Sequence, residues 1–220
     1  MLLKALITGG AGFIGSTIAK ELASNGAEVV VLDNLSSGYR TNINGQPGVR
    51  LLEKDVRDAA AVDAAATGVD VIFHLAASVG NKRSIDHPVD DADINVIGTL
   101  RVLEAARKAG VRKVVMSSSA GIFGELKTLP IREDHPAEPD SPYGASKLCA
   151  EKEGLAYTKL YGMEVICLRY FNVYGPNQRF DAYGNVIPIF VFQMLRGEPV
   201  TIFGDGEQTR DFVKIGRAHV

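Results

Sequence analysis

Tyr143 and Lys147 stand four residues apart in Tyr143-Gly144-Ala145-Ser146-Lys147, a spacing that puts a phenol and an ammonium on one face of a helix. A phenol with its ordinary pKa of about 10 is a weak base at neutral pH. A fixed positive charge beside it favours the phenolate, so the pair is equipped to take a proton from an alcohol and to return it. Tyr and Lys also reach this spacing by chance on amphipathic helices, and the pair gains meaning from its company. Ser117-Ser118-Ser119-Ala120 follows a strand-like run, at a carboxyl end of the kind where open α/β sheets build their sites. Serines at that place can equally cap a helix.

A second group of residues is suited to phosphate. Thr8-Gly9-Gly10-Ala11-Gly12-Phe13-Ile14-Gly15 separates the first strand from the first helix. Glycines at 9, 12 and 15 permit a tight turn, backbone approach to a pyrophosphate and close helix–strand contact. The helix that starts at Ile14 presents N–H groups and a positive dipole end. Asp33 closes the second strand, where a carboxylate accepts hydrogen bonds from adenine-ribose hydroxyls and repels a 2′-phosphate. NAD is therefore expected rather than NADP. Asp55, with Val56 beside it, either contacts the adenine or caps a loop with Arg57 as its ion partner. Leu75, Ala76 and Ala77 follow the fourth strand, where small side chains let backbone lie against the cofactor. His74 is read as structural, since no second histidine or acid cluster accompanies it.

The elements that must position these residues alternate as βαβα, which predicts an α/β fold with a Rossmann-type, doubly wound parallel sheet. Strands are expected at Lys4–Thr8, Glu28–Leu32, Val49–Glu53, Val69–Leu75, Lys113–Ser117 and Glu164–Tyr170. Helices are expected at Ile14–Asn25, Ala59–Ala66, Asp91–Ala109 and Tyr143–Leu160. The last of these follows a loop carrying Pro136, Pro139 and Pro142. After Asn172 glycine and proline become frequent and the rhythm breaks. Residues 1–172 are therefore read as the NAD-binding domain and 173–213 as the start of a smaller, truncated substrate-binding region. Residues 214–220 read as a non-native tail: they match an in-frame translation of a common sequencing adapter, just after a strand at Arg210–Val213 has begun.

Bulk properties exclude several classes. The 220 residues, 46% apolar and 23% charged, suit a globular chain able to bury a core without crosslinks. A net charge of −2 lacks the basic stripe of a nucleic-acid binder. No apolar run reaches the roughly 18 residues of a membrane span, and no signal peptide is recognisable. Cys149 and Cys167, the two cysteines, have neither metal spacing nor a CxxC pattern. No metal, nucleic acid or membrane is expected, and the expected location is the cytoplasm.

Taken together, Thr8–Gly15, Asp33-Asn34-Leu35-Ser36-Ser37-Gly38, Ser119, Ser141-Pro142-Tyr143-Gly144, Lys147 and Arg169-Tyr170-Phe171-Asn172-Val173-Tyr174-Gly175-Pro176 resemble the extended short-chain dehydrogenase/reductases. Within them the chain looks like the NAD-dependent sugar-nucleotide epimerases of the UDP-glucose 4-epimerase type. The resemblance implies that Ser119 hydrogen-bonds the sugar 4-hydroxyl, Tyr143 is the acid/base, and Lys147 binds the nicotinamide ribose. It adds Asn34, Ser37, Gly38, Asn95 and Ser117 to the cofactor site and puts Tyr170 and Phe171 near the nicotinamide. It assigns Asn172 to the substrate diphosphate, Asn185 and Val186 to the nucleotide base, and Arg210 to a phosphate. Asn172 could instead cap a turn, and Arg210 could pair with Asp211 or Glu207.

The implied reaction oxidises C4 of a UDP-sugar, turns the 4-keto sugar, and reduces it on its other face. Dehydratase and decarboxylase relatives carry carboxylates beside the catalytic serine, where this chain has Ala120 and Gly121. Other sugar-nucleotide enzymes (a UDP-glucuronate epimerase, decarboxylase or dehydratase) are the nearest alternatives. An NADPH-consuming reductase is opposed by Asp33, and a non-catalytic NAD(H)-binding regulator by the presence of both Tyr143 and Lys147. Phe123 stands where the family often has Tyr, and Lys82 has no family role. The resemblance also implies a homodimer through the two long helices, with Val102, Ala105, Ala106, Leu148 and Leu155 as contacts or, alternatively, as plain core.

Overall fold

The computed structural model describes residues 2–179 and 184–217. Six strands, β1 (Lys4–Thr8), β2 (Glu28–Asp33), β3 (Val49–Glu53), β4 (Val71–His74), β5 (Lys113–Ser119) and β6 (Glu164–Tyr170), form one parallel sheet in the order β3-β2-β1-β4-β5-β6. Successive side chains on a strand point to opposite faces, and both faces are covered. Leu6, Ile72 and Val114 pack on one side with Val62 and Ala66 of α2 (Ala59–Ala66) and with Val102 and Leu103 of α5 (Gly98–Ala109). Ile7, Val29 and Val31 pack on the other with Ile18 and Ala19 of α1 (Phe13–Ser24). Helices on both faces of a parallel sheet make this a Rossmann-type doubly wound fold. Strand order reverses between β1 and β4, so a crevice opens at the carboxyl ends of these two strands.

Between β4 and β5 the chain forms α3 (Asn81–Asp86), α4 (Pro88–Ala92), a π-helical turn over Asp93–Ile97, and then α5. The single helix expected over Asp91–Ala109 is thus interrupted by a wider turn. Val102, Ala105 and Ala106 are buried within the chain, which corrects their assignment as contacts to a second copy: the apolar stripe of α5 is spent on the sheet. Leu148 is half-buried and Leu155 exposed on α6 (Pro142–Tyr161). Ser141 caps α6 by accepting from Gly144 N at 3.1 Å, and Pro142 occupies the first helical position, where its missing N–H costs nothing. β5 runs two residues beyond its expected end, to Ser119.

Past β6, β7 (Asn172–Tyr174) pairs in parallel with β8 (Phe212–Lys214), and α7 (Val186–Leu195) lies between them in sequence. The strand expected at Arg210–Val213 is therefore displaced toward the carboxyl end. Lys214 pairs with Tyr174, and Ile215 N donates to Tyr174 O at 2.8 Å. Ala218, His219 and Val220 lie outside the described residues. Residues 194–214 are all exposed.

Candidate active site

The crevice at the β1/β4 switch point widens into a cleft of about 640 Å³. Its floor is the glycine turn. Gly9 has φ +71° and its N–H donates to Leu32 O at 2.9 Å. A Cβ on Gly9 would lie 2.6 Å from Ala76 N, and one on Gly15 would collide with Gly9 O. The turn is therefore pressed against the strand ends with no room for side chains. Gly12 caps α1 without a side-chain acceptor, so the first N–H groups of the helix remain for a ligand. Asp33, 8% exposed, accepts from Ala11 N at 2.9 Å and Leu35 N at 2.8 Å. A carboxylate has about four lone-pair sites, which leaves capacity for ribose hydroxyls. These features fit NAD: a backbone cradle for the pyrophosphate, and an acceptor where the adenine ribose would lie.

Around this floor, Gly9, Gly12, Phe13, Ile14 and Gly15 line the cleft, as do Asp33, Asn34, Ser37, Asp55 and Val56 at one end and Leu75, Ala76 and Ala77 beside the turn. Asp55 does more than line it. Its carboxylate accepts from Asn34 Nδ2 at 2.8 Å and from Arg57 N, Nε and Nη2 at 2.8–2.9 Å, and these bonds hold it far below the usual carboxylate range. Gly38 does not line the cleft. A Cβ there would press on Ala11 and Gly12 from behind the turn, so it supports the turn's packing. Asn95 is likewise off the cleft and buried; its amide bonds Ser78 N, Ser78 O and Ser146 Oγ at 2.9–3.0 Å.

Ser117, Ser119, Tyr143, Lys147, Tyr170 and Phe171 form the opposite wall. Ser117, Ser118 and Ser119 all line the cleft, and strand alternation separates their hydroxyls: that of Ser118 turns to Glu151 Oε2 at 2.8 Å. Ser119 Oγ accepts from Gly121 N at 3.1 Å, in the 3₁₀ turn of Ala120–Ile122, and its hydroxyl favours the Tyr143 phenolate. Lys147 Nζ donates to Ser117 Oγ at 3.4 Å. Burial pushes the Lys147 pKa down to about 8, against the upward pull of Asp91 and Cys167. Burial also raises the Tyr143 pKa, opposed by the Ser119 hydroxyl and reinforced by the charge of Asp91. A lowered phenol pKa is expected from the sequence; within the protein itself, loss of water around the phenol outweighs its neighbours' support.

The carboxylates among the described residues lining the cleft, Asp33 and Asp55, both lie at the end away from Tyr143. Asn172 lines the cleft while its amide donates to Asp211 O at 3.1 Å, and Asn185 lines it at the start of α7. Val186 and Arg210 do not line it. Val186 is exposed in the first turn of α7, and Arg210 is exposed with Nη1 donating to Thr209 O. Lys54, Arg83 and Gln178 also line the cleft, and no pattern in the sequence marks them. His74 is buried, 2.7 Å from Thr8 Oγ1 and 2.9 Å from Thr99 Oγ1. Phe123 is buried off the cleft, edge-on to His135 at 5.2 Å and under the Arg169 guanidinium at 5.3 Å. Among the described residues no group of acids, histidines and cysteines is placed to hold a metal, and no helix is long and apolar enough to cross a membrane.

A parallel sheet in this order, with a glycine turn at its switch point and a Tyr–Lys pair across the cleft, defines a dinucleotide-binding Rossmann protein. The chain belongs to the NAD dependent epimerase/dehydratase family, whose sequence profile matches residues 5–216. It is 44% identical over 218 residues to UDP-glucose 4-epimerase of Mycolicibacterium smegmatis, covering 96% of this chain and 69% of that relative. The Thermotoga maritima UDP-glucose 4-epimerase, solved with UDP-glucose, superposes with a TM-score of 0.93 at 40% identity, covering 97% of this chain and 70% of that one. A Thermus thermophilus UDP-glucose 4-epimerase solved with NAD gives 0.88 at 39%, covering 97% and 71%. Similar structures also include a UDP-N-acetylglucosamine 4-epimerase from Methanobrevibacter ruminantium and an NAD-bound dTDP-glucose 4,6-dehydratase from Streptomyces venezuelae, at 36% and 37% identity. The cofactor is NAD, and the chain is a nucleotide-sugar epimerase/dehydratase by family.

Proposed function

We propose that the protein interconverts the C4 epimers of a UDP-sugar, of the UDP-glucose/UDP-galactose type, through a transient 4-keto sugar. The observation that carries this reading is the wall of Ser119, Tyr143 and Lys147 facing the glycine turn, with Ala120 and Gly121 beside it and no carboxylate lining the cleft at that end among the described residues. Elimination of water would call for further acid/base groups at that place.

In this reading the glycine turn, the start of α1 and Asp33 hold NAD, with Ser117, Lys147, Tyr170 and Phe171 around its nicotinamide half. NAD, when bound, supplies the hydride acceptor and donor. Ser119 Oγ orients the sugar 4-hydroxyl toward Tyr143 Oη, which removes its proton and later returns it. Lys147 binds the nicotinamide ribose and supports the phenolate, and Asn172 and Asn185 hold the nucleotide part. Residues 1–172 serve the cofactor and 173–213 begin the substrate-binding region. A cytoplasmic homodimer through the outward faces of α5 and α6, with Leu148 and Leu155 on α6, completes the proposal.

The test is incubation of the purified protein with UDP-glucose or UDP-galactose and no added cofactor. Interconversion is expected. Release of water from the sugar would assign a dehydratase instead, and bound NAD with no nucleotide sugar turned over would make the chain a non-catalytic NAD-binding protein. Tyr143→Phe is expected to cut kcat by about 10²–10⁴-fold, the usual contribution of a positioned acid/base, while NAD stays bound.

A further inference from the structure

Asp91, on α4, is 1% exposed. Its Oδ2 accepts from Ser146 Oγ at 2.6 Å, while its Oδ1 has no hydrogen-bond partner. A buried carboxylate oxygen left unpaired is costly unless a positive charge answers it. An alcohol or amide could fill the place without that cost. Ser146 directly precedes Lys147, and its hydroxyl also accepts from Asn95 Nδ2 at 3.0 Å. Asn95 in turn clamps the backbone of Ser78, in the loop that lines the cleft.

The groups facing Lys147 come from every element around it. Asp91 faces it from α4, His74 from β4, Ser117 from β5 and Cys167 from β6, with Tyr143 on its own helix. Burial holds His74 near 3 and lifts the Cys167 thiol to about 11, so both are neutral at neutral pH. Among these groups Asp91 is the one carboxylate.

We propose that Asp91 is a positioning residue that keeps Lys147 charged in its dry site and, through Ser146, fixes the start of α6 against the cleft loop. The inference rests on the reading of Ser119, Tyr143 and Lys147 as the reactive wall. Because its charge raises both the Lys147 ammonium and the Tyr143 phenol, its removal moves both titrations to lower pH.

The test is an NMR titration of the Lys147 side chain in protein labelled at lysine Cε, with Lys147→Arg used to assign the signal. Asp91→Asn is expected to lower the Lys147 midpoint by about one unit and to move the alkaline limb of the pH–rate profile the same way. Asp91→Ser, which leaves room for a water against Ser146, gives the same shift if the amide variant folds poorly. Lower activity or a lower Tm with an unmoved midpoint overturns the proposal and leaves Asp91 a packing residue. A midpoint that falls in a protein that turns over no nucleotide sugar upholds the role of Asp91 and refutes the epimerase reading instead.

Discussion

At the end of β4, the imidazole of His74 lies between two threonine hydroxyls, and burial holds its pKa near 3, well below its ordinary value of about 6.5. Between those values the unfolded chain binds a proton that the folded protein refuses, so stability rises with pH across that window. The contribution is complete above about pH 6.5 and is lost as the pH falls toward 3. Urea unfolding at pH 7 and pH 4.5 is expected to differ by about 2 kcal/mol through this group alone. His74→Gln should keep bonds to both threonines and remove that difference, and an equal pH dependence in the two proteins would acquit His74. Phe123 is legible at the same scale. Its ring sits among His135, Phe171 and Arg169, off the cleft.

α6 shows what one element contributes. Ser141 and Pro142 announce its start in the sequence, and the observed helix begins one residue before its expected bound. Tyr143 lies in the first turn, so the cap that holds that turn also holds the phenol. Ser141→Ala should lower stability by about 1 kcal/mol, the usual value of a helix N-cap. It should also reduce kcat while NAD affinity is unchanged. A lower Tm with full kcat would show that the phenol is held by Ser119 and burial instead. The π-helical turn at Asp93–Ile97 was not legible. Over five residues its apolar pattern cannot be told from that of an α-helix, and what marks it is the burial of Asn95 against Ser78 and Ser146, partners 17 and 51 residues away.

For the molecule as a whole, burial is unevenly shared. β1 to β6 carry the two packed cores, whereas residues 194–214 are exposed throughout and include Leu195 at 76% and Phe203 at 82%. Segments with few buried contacts open most readily. Trypsin under native conditions is expected to cut first at Arg196 or Arg210 and to leave the six-stranded sheet intact. A first cut inside residues 2–170 would contradict the division into a cofactor half and a substrate half.

The sequence by itself determined the doubly wound sheet, the glycine turn with Asp33, and the shared helix face of Tyr143 and Lys147. Each of these rests on local rules: strand alternation, helical spacing, and the backbone conformations open to glycine. Tertiary structure alone decided which residues those rules left ambiguous. Gly38 and Asn95 support the site from behind it, Val102, Ala105 and Ala106 belong to the core, and Asp91 is brought against the start of α6. Burial and partners 50 or more residues distant, as in Ser146 with Asp91, set the charges of Tyr143 and Lys147. No local pattern encodes the loss of water that packing imposes.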